Sequence, residues 1–280
     1  MKRTAVENYY DQLPRLRLSV QRGEGASVAQ SEWSVYPRLV MQGAYEEGDT
    51  LVLESEEEGV WLWLALDSTL GETLVYLSSA LHTYMIPFAE KKTAMNPLAF
   101  SGSVHLLTAR AARPEEVLQR RCLSVNAYDQ HQNASVFPHS LANIETRGEA
   151  VFASRNAIDG CHANAGHGPW PYQSWGINRD PEAAFTLDLG VTCAVDELRI
   201  TIRCDFPHDN YWVEADVVFD DAQRVTVELE KTDLPQVFRL SETITCRQLR
   251  LERLIQAEGP SPFPALTQFE VWGTVCDETV

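Results

Sequence analysis

Asp49-Thr-Leu-Val-Leu-Glu-Ser-Glu-Glu-Glu-Gly-Val-Trp-Leu-Trp-Leu-Ala-Leu66 decides the fold class. Two apolar runs rich in Leu, Val and Trp flank an acidic turn that ends in Gly59. Each run is too short for a helix of ordinary length, and both have the branched and aromatic side chains that suit a pleated, buried surface. A second turn, Glu46-Glu-Gly48, precedes the first run. Strand, turn, strand is the reading.

Working outward, the same grammar repeats. Arg15-Leu-Arg-Leu-Ser-Val20 alternates with period two, and Thr73–Ser79, His82–Phe88 and Gly102–Ala111 continue the series. Short strands at close spacing, broken by Gly and acidic turns, indicate a β-sandwich. Pro114-Glu-Glu-Val-Leu-Gln-Arg120 is the one helical signature, with Pro in the first turn, acids beside it and Arg in the last turn. Beyond it, Ala184–Leu189, Glu197–Arg203, Val213–Phe219, Arg224–Leu229, Gln236–Leu240, Gln248–Leu254 and Thr267–Gly273 again read as strands. The expectation is an all-β chain of two tandem antiparallel sandwiches: residues 1–112, a junction with a short helix at 113–139, and residues 140–280.

The chain has 280 residues with 23 Lys and Arg against 40 Asp and Glu, a net charge of −17. A field of that sign disfavours a phosphate-backbone partner and an anionic membrane surface. The acidity is uneven: residues 1–112 carry 9 basic and 14 acidic groups, residues 140–280 carry 11 and 23. No apolar run follows Lys2 and Arg3, and Val60–Leu66 falls far short of the ~20 residues of a membrane span, so a cytoplasmic protein is expected. Six scattered cysteines without a Cys-x-x-Cys pair suit free thiols rather than a disulfide framework or a zinc site.

Asn156-Ala-Ile-Asp-Gly160, a Trp-containing loop, Leu187-Asp-Leu-Gly190 and a terminal Phe269-Glu-Val-Trp-Gly273 follow one another over about 140 residues. In order and spacing they resemble the discoidin, or coagulation factor (F5/8) type C, group of galactose-binding-like sandwiches, which includes many carbohydrate-binding modules. The resemblance implies that the second sandwich is a discoidin-like jelly roll without catalytic machinery, presenting ligand loops at one end. It also implies a structural Ca2+, held by the carbonyls of Asn156 and Phe269, the carboxylates of Asp159 and Glu270, and Asn164. Such hard oxygens suit Ca2+, whereas Cys161, where a further oxygen is usual, does not. The alternative is that Asp159 caps a turn and Glu270 bonds at the sheet edge.

Cys161-His-Ala-Asn-Ala-Gly-His-Gly-Pro-Trp-Pro-Tyr-Gln-Ser-Trp175 is richer than a plain connection requires, and Arg203-Cys-Asp-Phe-Pro-His-Asp-Asn-Tyr-Trp212 follows a strand. Aromatic faces stack on sugar rings, while Arg, Asp and His grip hydroxyls. Trp170 and Tyr172 are therefore the candidates for stacking, and Arg203, Asp205, His208 and Asp209 for hydroxyls. Trp175 and Trp212, beside strands, read as core. An ion pair from Arg203 to Asp205 or Asp209, and a structural role for His208, are the alternatives. Pro260-Ser-Pro-Phe-Pro-Ala265 reads as a rigid approach to the last strand.

No Gly-x-Ser-x-Gly, His-Glu-x-x-His, phosphate loop or dinucleotide fingerprint occurs. The expectation is a carbohydrate-binding protein with no catalytic residue, its partner a sugar. A glycoside-acting hydrolase at the domain junction and a protein-interaction module are the alternatives.

Overall fold

The structure is a computed structural model, and it describes residues 12–23, 25–131, 133–163, 170–205, 208–259 and 261–276. Strands β1 (Leu16–Arg22), β2 (Ala26–Gln30), β3 (Arg38–Gln42), β4 (Thr50–Ser55), β5 (Val60–Ala65), β6 (Thr73–Leu77), β7 (Leu81–Met85) and β8 (Val104–Ala111) come first. Helix α1 (Pro114–Leu118) follows, then β9 (Arg121–Cys122), β10 (Val136–Phe137), β11 (His139–Ala142) and β12 (Trp175–Gly176). The long strands β13 (Phe185–Ile202), β14 (Trp212–Phe219), β15 (Gln223–Glu228), β16 (Gln236–Gln256) and β17 (Ala265–Val275) complete an all-β chain.

The first sandwich packs the sheet β2-β1-β4-β7 against the sheet β10-β6-β5-β8-β3. The turn between β4 and β5 is not a hairpin. β4 pairs β1 and β7, while β5 pairs β6 and β8, so Glu56–Gly59 carries the chain from one sheet to the other. Leu51, Leu53, Leu62 and Leu64 are all buried in one core, and Trp61 on the other face of β5 is buried in the second. Sequence reading passes over β2, whose largely exposed residues at an edge leave little apolar pattern, and over β3, although Leu39 and Met41 alternate into the core.

The second sandwich is one continuous antiparallel sheet, β12-β17-β13-β16-β14-β15, with β11 on β13 and β9 on β17. Runs expected as separate strands fuse here: β13 unites 184–189 with 197–203, and β16 unites 236–240 with 248–254. Each is broken in register rather than in chain, with shifts between Asp188 and Cys193 and between Val195 and Glu197. Such irregularities bend strands and raise their twist, which lets one sheet wrap a single core. Gly190 sits at the first shift with φ +77°, and a Cβ there would lie 2.5 Å from the Phe137 ring. Gly273 meets β13 even more closely, since a Cβ would lie 2.1 Å from the Ala194 carbonyl oxygen. Two of the landmark glycines are thus required by packing.

Trp175 and Trp212 are buried in the second core, as expected. Trp61 and Leu74 of the first sandwich join that same core, together with Val117 of α1. Full burial of such side chains contributes roughly 1.5–3 kcal/mol each. The junction residues divide between the two halves: Ala127, Tyr128 and Val136 enter the first core, while Leu123 enters the second.

Candidate functional site

Tyr172 follows the loop that precedes β12, and His208 precedes β14. The Tyr172 hydroxyl lies 2.8 Å from His208 Nε2, and His208 Nδ1 lies 2.7 Å from the Phe263 carbonyl. A carbonyl only accepts, so Nδ1 carries the proton and Nε2 accepts from the phenol. Phe152 packs at 5.8 Å from the Tyr172 ring and 5.9 Å from the His208 ring. Burial pushes the Tyr172 phenol up from its ordinary value.

Arg203 holds this arrangement from behind. It is fully buried and forms a two-pronged ion pair with Asp205, with Nε 2.7 Å from Oδ1. Its Nη1 donates to the Tyr172 carbonyl at 2.5 Å, and its guanidinium carbon lies 4.2 Å from the Tyr172 ring centroid. Tyr172, Arg203, Asp205 and His208 therefore form one network, with Arg203 and Asp205 positioning Tyr172. Asp209 follows His208 half-buried, and its Oδ1 finds no hydrogen-bond partner among the described residues.

In front of Tyr172 and His208 opens a cleft of about 210 Å3. Arg147, Phe152, Asn178, Arg179 and Phe263 complete its lining. Arg179 stands over the Phe263 ring at 4.5 Å, and Arg147 over Phe152 at 5.3 Å. Asn178 and Arg179 both adopt left-handed backbone, with φ of 50° and 62°. That conformation costs non-glycine residues energy and concentrates at functional loops. The Asn178 N–H donates to Thr146 Oγ1 at 2.9 Å, which pins the rim. Gly176 forms the floor, where a Cβ would come within 2.7 Å of Thr146 Oγ1. The cleft thus joins aromatic rings, the exposed Arg179 guanidinium, the Arg147 guanidinium paired with Glu149, an amide and an imidazole in one concave place.

Trp170 lies elsewhere. It is half-buried, its N–H donates to the Thr93 carbonyl at 3.0 Å, and it lines a pocket of about 190 Å3 between the sandwiches with Leu70, Met95 and Arg155. Sequence reading missed Arg147, Phe152, Arg179 and Phe263. A signal for Phe263 was present, since it is held between prolines as Trp170 is. The two arginines had none, because they come from separate turns.

Two of the oxygens expected for Ca2+, those of Asn156 and Asp159, face a side-chain amide. Gln268 Nε2 lies 2.7 Å from the Asn156 carbonyl, 2.8 Å from Asp159 Oδ1 and 2.7 Å from the Thr267 carbonyl. Asp159 also accepts from the Cys161 N–H at 2.7 Å and from Gln173 at 3.2 Å. Glu270 is buried in a different direction, its Oε1 lying 3.8 Å from His162 Nε2. Asn164 lies outside the described residues. Among the described residues no three His, Cys, Asp or Glu side chains converge as metal ligands. This donor set does not fit Ca2+, because an amide N–H group faces the oxygens that the ion would need.

No protein-family model matches the chain, and no curated protein is significantly similar in sequence. Solved structures are similar in fold. One is the family 32 carbohydrate-binding module from C. perfringens NanJ in complex with galactose, at 17% identity and TM-score 0.37, covering 48% of this chain and 91% of that one. A second is a Streptococcus pneumoniae fucose binding module, at 13% and 0.41, covering 55% and 96%. A third is an F-lectin (fucolectin) from striped bass (Morone saxatilis) serum, at 12% and 0.40, covering 86% of each chain. At these identities the likeness concerns the fold alone.

Proposed function

We propose that the protein is a non-catalytic carbohydrate-binding protein, and that the cleft between Arg147, Phe152, Tyr172, Asn178, Arg179, His208 and Phe263 takes the sugar. The observation that carries this reading is the pairing of Arg179 with Phe263 at the rim, 4.5 Å from guanidinium carbon to ring centroid. An aromatic face packs on the C–H face of a pyranose, and a guanidinium fork donates to two neighbouring hydroxyls. At about 210 Å3 the cleft is smaller than the ~300–1,000 Å3 of pockets for drug-sized ligands, so a single ring or chain end suits it. The sequence-based assignment changes accordingly: Tyr172 and His208 form the back wall of the cleft with their polar atoms committed to each other and to the Phe263 carbonyl, Arg203 and Asp205 become positioning residues, and Asp209 stays a neighbour of the cleft. Trp170 would serve a longer glycan only if that glycan reached the junction.

Calorimetric titration with galactose, fucose and glucose tests the reading, with Arg179→Ala and Phe263→Ala as controls. Saturable binding to one sugar, weakened about tenfold or more by either substitution, is expected. Absence of binding at millimolar sugar, or binding that both variants retain unchanged, would sink it.

A further inference from the structure

The position of one nitrogen atom decides how the second sandwich is tied together. Gln268 belongs to β17, and Asn156 and Asp159 end the short 3-10 turn Ser154–Ile158 and its continuation. Its Nε2 stands among three oxygens at 2.7, 2.8 and 2.7 Å, from the Asn156 carbonyl, the Asp159 carboxylate and the Thr267 carbonyl. Its Oε1 accepts the Gly160 N–H at 3.1 Å. Gln268 is 1% exposed, so water does not share this work. The orientation of the amide follows from the partners. Turned over, its oxygen would face three oxygens and its NH2 would face an N–H donor.

We propose that the Gln268 amide takes the place of a bound cation, acting as a metal-free clasp between the 156–160 turn and the last strand. The nitrogen sits only a few tenths of an ångström further from its oxygens than the ~2.3–2.6 Å of Ca–O bonds. The hydrogens of its NH2 group carry partial positive charge towards those oxygens, and the clasp needs no free ion. The clasp spans more than a hundred residues of sequence, and Gln173 also donates to Asp159. A corollary follows. Gln268→Glu changes the donor group to an oxygen, and then two carboxylates and two carbonyls crowd one buried point. A proton shared between the carboxylates or a cation holds such a set together, and Ca2+ in excess at alkaline pH displaces the proton, so a single substitution converts the clasp into a Ca2+ site.

Thermal unfolding at alkaline pH, in EDTA and in excess Ca2+, tests the idea on the full chain. The wild type is expected to melt at the same temperature in both. Gln268→Leu, which removes the donor, is expected to melt several degrees lower in both. Gln268→Glu is expected to melt lower in EDTA and to recover on adding Ca2+, since an ion bound only by the folded state must raise the transition. A wild-type transition that rises with Ca2+ overturns the proposal, as does a folded Gln268→Glu that ignores the ion. Should Gln268→Glu fail to fold in either condition, the Leu variant decides. A loss independent of Ca2+ upholds the clasp, and no loss overturns it.

Discussion

Tyr172 and His208, 36 residues apart, lock each other's polar atoms: the phenol donates to Nε2 at 2.8 Å while Nδ1 is committed to the Phe263 carbonyl. This fixes the imidazole tautomer and joins three loops at the back of the cleft.

Tyr172→Phe removes that donor and leaves a buried imidazole nitrogen without it, a cost of about 1–3 kcal/mol. For a chain of this size the melting temperature is expected to fall by roughly 2–10 °C. Differential scanning calorimetry reads it, and an unchanged transition would show that the bond contributes nothing.

Arg121 pairs with Gly273 and has its guanidinium 5.2 Å from the Trp61 ring, and its Nε and Nη2 have no hydrogen-bond partner among the described residues. Burial lowers its pKa from the ordinary arginine value. A buried cation without a carboxylate is replaced at little cost, or with gain, by an apolar side chain of similar length. Arg121→Met is expected to melt at the same or a higher temperature. A clear fall would mean that the stacking on Trp61 outweighs the desolvation.

Gly273→Ala places a methyl group 2.1 Å from the Ala194 carbonyl oxygen, against backbone that has nowhere to go. Strands β13 and β17 must separate locally, and a loss of several kcal/mol or failure to fold is expected. Soluble yield and the denaturant midpoint measure it. A midpoint within error of wild type would contradict the packing at this crossing.

His82 is buried in the first sandwich, with Nδ1 2.9 Å from Ser135 Oγ, and burial lowers its pKa to about 4. The unfolded chain, near 6.5, takes up the proton first. The stability of the neutral form is therefore complete above pH 6.5 and is lost as pH falls from there towards 4, by about 3 kcal/mol in all. Urea unfolding of wild type and His82→Gln between pH 7 and 4 checks this. The variant is expected to lack this part of the acid dependence, and parallel profiles would refute the assignment.

The strands of both cores were legible because each reads its own periodicity. Leu16, Leu18 and Val20 alternate into one core, and Val213–Phe219 reads as a strand without reference to anything else. What local pattern did not carry is which sheet a strand joins. β4 and β5 are adjacent in sequence, yet they lie on opposite faces of the first core, because two buried strands can turn into a hairpin or cross a sandwich with the same residues. Likewise β13 and β16 read as pairs of strands because register shifts interrupt the pattern without interrupting the chain.

The site divides in the same way. Tyr172, Arg203, Asp205 and His208 were identifiable as residue types on two polar and aromatic stretches, and they do converge. That Arg203 and Asp205 face inward, that Trp170 turns to the other sandwich, and that Arg147, Arg179 and Phe263 meet at one rim depends on how four separate loops are stacked. The same holds for Ca2+. The family resemblance carried by the sequence landmarks implied that Asn156 and Asp159 stand opposite the last strand. Which side chain of that strand reaches them was decided by the tertiary structure. Neighbouring positions on one face of a strand differ by two residues, and here the register presents the neutral amide of Gln268 to those oxygens rather than the charge of Glu270.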